Sequence, residues 1–363
     1  MALAGVLLAE VIRAPETAAD FTLAQWDLLV RQARRALMLG TLGFLLEDAG
    51  LEGRAPEAAR VHLAWGMTFA RRHVAQTRWE LRCLRQALAS AGVPVVVLKG
   101  GAYVAAGLPL ARGRLFSDLD IMVGRERLEE VVEALKRAGW RHVLLDAYDD
   151  HYYRTWMHEL PPMIHARRQT NLDVHHRILP LTARHLPDPE TMIAAAVPLP
   201  SQAPLHVLGP LDMVLHAAAH LLSEGELGHG FRDLCDLDRL IRDRLVSDSI
   251  WAALLERAAR LDLSRPLYYA LRYCARMLGT PVPAEVLRAS ASAGEPPLVP
   301  LMDGLFERAL LPDHASCADP LTPLARFALY LRGHYLRMPM RLLLPHLGRK
   351  ALRALRREEA LVR

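Results

Sequence analysis

Apolar residues recur at three- and four-residue spacing through residues 21–91: Leu28, Leu29, Ala33, Ala36 and Leu37, then Leu39, Leu42, Leu45 and Leu46. That period puts them on one stripe of a helix. Pro56 is placed to open the next helix, and Val61, Leu63, Ala64, Met67, Val74, Trp79, Leu84 and Leu88 carry the stripe onward. Residues 1–91 are therefore predicted to form a helical region that packs against the neighbouring domain.

The period changes after Ala91-Gly92. The run VPVVVLKGG is short, unbroken and β-branched and ends in glycines, which predicts a buried strand. A short helix over residues 102–106 and a loop through Gly107, Pro109 and Gly113 precede LFSDLDIMV. As a strand, this run sets Asp118, Asp120 and Met122 on one face and Leu119, Ile121 and Val123 on the other. Residues 126–138 read as a helix closed by Gly139, residues 140–145 as a strand, and residues 160–168 and 171–178 as a strand pair turning near Gln169. Residues 186–210 are proline-rich and read as a linker, after which helices return over 211–222, 231–245, 250–261 and 267–278. The resulting fold class is α+β, with a small mixed-sheet domain at 92–185 between two helical regions. The second of these, 211–363, is either structural or binds a substrate.

With 52% hydrophobic and 23% charged residues in 363, the chain is not a disordered one and has material for more than one core. The net charge of +5 is compatible with an anionic substrate or a nucleic acid and selects neither. Four scattered cysteines (Cys83, Cys235, Cys274, Cys317) give no zinc spacing and no disulfide framework, which fits a reducing cytoplasm. The apolar N-terminus lacks a basic leader and reads as a packed helix rather than an export signal, and no apolar run is long enough to span a membrane. The Leu- and Arg-rich tail at 321–363 reads as a terminal helical layer with an Arg face, or as a surface for an anionic membrane or a partner.

The chemistry concentrates in Ser117-Asp118-Leu119-Asp120. Two carboxylates at i and i+2 on a strand share a face, and their repulsion is costly unless a cation lies between them. Asp173 sits on another predicted strand; if the strands are neighbours, three carboxylates converge to hold Mg2+ or Mn2+. His175 shares the face of Asp173 and can orient an acceptor or serve the core. Ser117 lacks the Gly-x-Ser-x-Gly setting of an acyl-transfer nucleophile. His216 and His220, at i and i+4, with Asp233 and Asp236 form a second candidate metal set, that of a phosphohydrolase, although HExxH is absent.

Leu98-Lys99-Gly100, Arg114-Leu115-Phe116-Ser117-Asp118-Leu119-Asp120 and Asp173-Val174-His175 together resemble the uncharacterised nucleotidyltransferase family of the DNA polymerase β superfamily. The likeness extends through Leu208-Gly209-Pro210-Leu211-Asp212 and Arg232-Asp233-Leu234-Cys235-Asp236, covering residues 93–245. It implies a polymerase-β-like fold and metal-dependent transfer of a nucleoside monophosphate from an NTP, ATP first, to a hydroxyl-bearing acceptor, with release of pyrophosphate. Asp118, Asp120 and Asp173 would hold metal and catalyse. Lys99, Gly100, Gly101, Arg114 and Ser117 would bind the nucleotide, and His175, His216, His220 and Asp233 would meet the acceptor or serve structure. The acceptor would be a small molecule, with protein or RNA as alternatives, and a non-catalytic nucleotide-binding scaffold of the same fold is the competing reading. One departure stands out: Lys99-Gly100-Gly101 replaces the Gly-Ser that many superfamily members use to hold the phosphates, and the spacing from Gly100 to Asp118 is longer than usual.

Overall fold

The computed structural model describes residues 5–143 and 147–343. Four helices open the chain: α1 (Leu7–Arg13), α2 (Leu23–Arg35), α3 (Leu39–Asp48) and the long α4 (Glu57–Leu88). A reciprocal cap starts α2, in which the Thr22 hydroxyl accepts from the Gln25 amide and the Gln25 side chain accepts from the Thr22 amide. The backbones of α3 and α4 touch at two glycines. A Cβ on Gly66 would lie 2.8 Å from the Gly40 nitrogen, so neither position has room for a side chain.

Seven strands form one sheet in the order β3-β4-β5-β2-β1-β7-β6. They are β1 (Val95–Leu98), β2 (Asp118–Met122), β3 (Trp140–His142), β4 (Met163–His165), β5 (Asn171–His175), β6 (Val197–Pro198) and β7 (Leu205–Val207). All four residues of β1 are buried, as an unbroken apolar run requires of a central strand. Helix α5 (Lys99–Ala105) follows β1 directly and packs on β1, β2 and α4, while α6 (Leu128–Arg137) joins β2 to β3 and also meets α4. Of the N-terminal helices, α4 packs on α5 and α6, which in turn lie against the sheet.

The structure departs from expectation at three places. The stretch read as a linker instead supplies α8 (Pro189–Ala194) and two strands, and β7 pairs parallel with β1. The strand over 140–145 ends at His142, and its last two residues lie outside the described ones. Helix α7 (Ala147–Trp156) occupies a stretch whose pattern predicts no element.

After β7 come α9 (Pro210–Ser223), α10 (Gly230–Arg244), α11 (Asp248–Arg260) and α12 (Ser264–Tyr273), the last continued by a π turn. The chain then forms α13 (Ala284–Gly294), α14 (Val299–Ala309) and α15 (Thr322–Arg337). Helix α9 is the hub of this layer, touching α10, α11, α12 and α15. Among the described residues no helix is long and apolar enough to cross a membrane. The end of the Arg-rich tail, with Arg349, Lys350, Arg353, Arg356 and Arg357, lies outside the described residues.

Candidate functional site

Strands β2 and β5 run parallel, with Asp118 opposite Asn171, Asp120 opposite Asp173 and Met122 opposite His175. Since side chains alternate along a strand, Asp118, Asp120, Asp173 and His175 all project from one face. The expected convergence of the two carboxylate strands is thus present as direct neighbours in the sheet.

Asp120 is almost fully buried and heavily engaged. Its Oδ1 accepts hydrogen bonds from Lys99 Nζ and His175 Nε2, each at 2.9 Å. Burial opposes its charge, yet Lys99 and His175 hold the carboxyl well below the usual range. Reciprocally, Asp120 keeps Lys99 protonated against the cost of burial. Lys99 has a φ of +48°, a backbone conformation that a residue with a side chain adopts only where its surroundings enforce it. Here the turn from β1 into α5 aims the ammonium at Asp120.

Asp173 stands in the opposite electrostatic situation. Burial, then the negative charges of Glu159 and Asp120, push its carboxyl up to about 7. Asp118 is half-buried at the mouth of a cleft of ≈ 440 Å3 that is also lined by Lys99, Gly100, Ser117 and Asp120. Residues of α9 (His216, Ala217, His220) and α10 (Arg232, Asp233, Asp236) also line this cleft, and Asp173 is not among its lining residues. Phe69 of α4 and Leu37 line the same cleft, although sequence reasoning had not connected them with it.

Gly100 borders the cleft, but its lack of a side chain answers a packing need: a Cβ there would overlap the Phe116 ring. Gly101 instead faces the sheet, where a Cβ would lie 3.1 Å from Val97 Cγ1 and 3.2 Å from Leu119 Cδ2. Gly100→Ala is expected to cost about 1–3 kcal/mol through overpacking. Most of that should return in a Gly100→Ala/Phe116→Ala double variant, relative to Phe116→Ala alone. Urea denaturation of the four proteins measures the coupling, and purely additive losses would contradict it.

Arg114 lines the cleft with its guanidinium committed elsewhere. It is bonded to Asp236 and lies 3.1 Å from Asp233, which Arg232 approaches at 2.8 Å. Asp233 and Asp236 are therefore partners of arginine, and His220 Nε2 lies 3.4 Å from Glu224. The four residues considered as a phosphohydrolase site do not come together as ligands, because the guanidinium already neutralises both carboxylates. Among the described residues, one set of three side chains places ligand-capable atoms mutually within 4.8 Å: His158, Glu159 and His175. These can coordinate a divalent metal. Sequence reasoning passed over His158 and Glu159, which lie between α7 and β4.

These observations fit what the comparisons with known proteins find. A family model described as an uncharacterised nucleotidyltransferase matches residues 22–279. The chain belongs to that nucleotidyltransferase family. It lies within the polymerase-β-like superfamily, and the sheet flanked by helical regions is consistent with that fold. No curated protein and no solved structure is matched. Membership suggests nucleotidyl-transfer chemistry and implies an NTP and an acceptor as substrates.

Among the described residues seven histidines of this nucleotidyltransferase, His73, His158, His165, His176, His216, His220 and His229, are held below the ordinary imidazole range, chiefly by burial. Lys99 adds to the effect at His158, His216 and His220, Glu224 opposes it at His220, and His176 is pushed down to about 4 with help from Arg125. In the unfolded chain each takes up a proton near pH ~6.5, but in the folded chain only at lower pH. Their contribution to stability is complete above that value and declines on acidification, by up to ~1.4 kcal/mol per pH unit for each deeply buried imidazole. His175 has the opposite sign. Burial alone would lower it, but Asp120 and Glu159 raise it, so its stabilisation is lost as pH rises through its folded value. The carboxyls of Asp173, Glu159 and Asp236, raised by burial, act in the same sense, and with His175 they offset four of the seven. Melting temperature should therefore fall between about pH 7.5 and about pH 5. A Tm that is flat or rising on acidification would refute the assignment of these histidines as neutral.

Proposed function

We propose that this protein transfers a nucleoside monophosphate from an NTP, ATP in the first instance, to a hydroxyl on a small-molecule acceptor and releases pyrophosphate. The observation that carries the reading is the parallel register of Asp120 with Asp173, with Asp118 on the same face at the cleft mouth, in a chain of nucleotidyltransferase ancestry. The donor set suits Mg2+ or Mn2+. Asp173 stays partly protonated near neutrality because burial and neighbouring carboxylates crowd it, and a divalent cation relieves that crowding. Asp118, Asp120 and Asp173 are the residues that would hold it. When bound there, the metal neutralises triphosphate charge and acidifies the acceptor hydroxyl.

The chain's own groups supply the rest. Lys99, cationic and partly open to the cleft, offers a positive charge for phosphate oxygens. Phe69 and Leu37 give one side of the cleft an apolar surface suited to a nucleobase. His216 and His220 in the same cleft are neutral at physiological pH and offer hydrogen bonds to the acceptor hydroxyl. Together these groups hold two substrates in the close approach that in-line transfer needs.

The test is NTP- and Mg2+-dependent pyrophosphate release in the presence of fractionated metabolites, followed by identification of the nucleotidylated product. Asp173→Ala should slow the single-turnover chemical step by roughly two orders of magnitude while changing nucleotide affinity little. The division of labour is wrong if nucleotide affinity falls and the chemical step keeps its rate. The scaffold alternative predicts nucleotide binding without any release of pyrophosphate.

A further inference from the structure

The carboxylates of β2 and β5 do not exhaust the metal-binding chemistry of this sheet. Glu159 is bridged to His175 in the antiparallel sense, beside β5. Leu160 donates its amide to the Val174 carbonyl at 2.9 Å, and His176 donates to the His158 carbonyl at 2.8 Å. These bonds fix the backbone of His158 and Glu159 against that of His175, so their side chains meet on a rigid frame.

The side chains meet in an arrangement that lacks only its centre. His175 Nδ1 lies 3.4 Å from Glu159 Oε2, and His158 Nε2 lies 3.9 Å from the same oxygen. His175 is 2% exposed, and its Nδ1, the atom that faces Glu159, has no hydrogen-bond partner. Orphaned buried nitrogens are costly and call for an explanation. Tetrahedral ligands with bonds of about 2.0–2.1 Å stand roughly 3.3 Å from one another, close to the spacings seen here.

We infer that His158, Glu159 and His175 form a binding site for a late first-row divalent ion of the Zn2+ type, separate from the Asp118/Asp120/Asp173 carboxylates. Two imidazoles and one carboxylate match the ligand preferences of such an ion, whereas Mg2+ takes oxygen ligands and keeps its waters. The outer partner is also in place. His175 donates Nε2–H to Asp120, which leaves Nδ1 as the lone pair for the ion and reproduces the carboxylate–histidine–metal relay. A metal on Nδ1 locks that tautomer and orients Asp120 from behind. Three protein ligands leave a fourth position for water.

The inference does not rest on the proposed transfer reaction, and its test reads binding alone. Full-length protein stripped with a chelator is titrated with Zn2+ alone by calorimetry and with Co2+ alone by visible absorption. Wild type should bind a single tight equivalent, and the Co2+ form should show the intense bands of a low-coordinate nitrogen-containing site. His158→Gln and Glu159→Gln should each weaken Zn2+ binding by about tenfold or more and remove the rise in Tm that Zn2+ gives wild type. Asp118→Asn should bind Zn2+ as wild type does. The site is refuted by any of three results: no tight equivalent in wild type, a Co2+ spectrum of six oxygen ligands, or unchanged affinity in both His158→Gln and Glu159→Gln. Zn2+ binding lost in Asp118→Asn would also refute it, by moving the ion to the aspartates. If a variant fails to fold, the wild-type Co2+ spectrum decides.

Discussion

Replacing Asp118 with asparagine should slow nucleotidyl transfer by roughly two to three orders of magnitude, the loss typical of removing one group that stabilises developing charge. The melting temperature should hardly move. Asp118 is half-buried at the cleft mouth, and among the described residues its carboxylate makes no ion pair or hydrogen bond, so the fold does not depend on its charge. Pyrophosphate release under saturating NTP and Mg2+, paired with a thermal melt, checks both halves. Full activity in a well-folded Asp118→Asn protein would remove the proposed site. Asp120 is a poorer probe, because its loss strands Lys99 and His175, so that a folding defect would mix with a catalytic one.

The largest effect on stability is expected at Arg114. Alanine there leaves the buried Asp236 beside the half-buried Asp233, with Arg232 bound to only the second of them. Removing one partner from a buried pair typically costs about 3–5 kcal/mol. A urea denaturation curve should show that loss directly, and Arg114→Lys should recover only part of it, since an ammonium cannot reach both carboxylates as the guanidinium fork does. A loss under about 1 kcal/mol would mean that the pair is dispensable. It would return Arg114 to the phosphate-binding role that its position before β2 suggests.

What the sequence made legible was what local periodicity encodes. The β-branched run of β1, the alternation that pairs Asp118 with Asp120 on β2, the hairpin into β5 and the stripes of α9 to α11 each carry their own signal within a few residues. Strand β7 carried none, because it has three residues and lies among prolines, and only its pairing with β1 makes it a strand. The Arg114 clamp joins residues more than a hundred positions apart, which no local pattern can announce. Phe69 was invisible for a related reason. It lies on the outward face of a 32-residue helix and becomes a cleft residue only when α4 packs on α5 beside the sheet. His158 and Glu159 sit in irregular chain, where neither period applies, and acquire their meaning from the bridge to His175.

Strand β7 also determines how this molecule can move. It is hydrogen-bonded to β1, and only Leu208 and Gly209 separate it from the start of α9 at Pro210. The jaw that carries His216 and His220 is therefore stapled to the anvil that carries Asp120, with no slack between them. A clamshell that swings open at this joint would have to pull β7 away from β1.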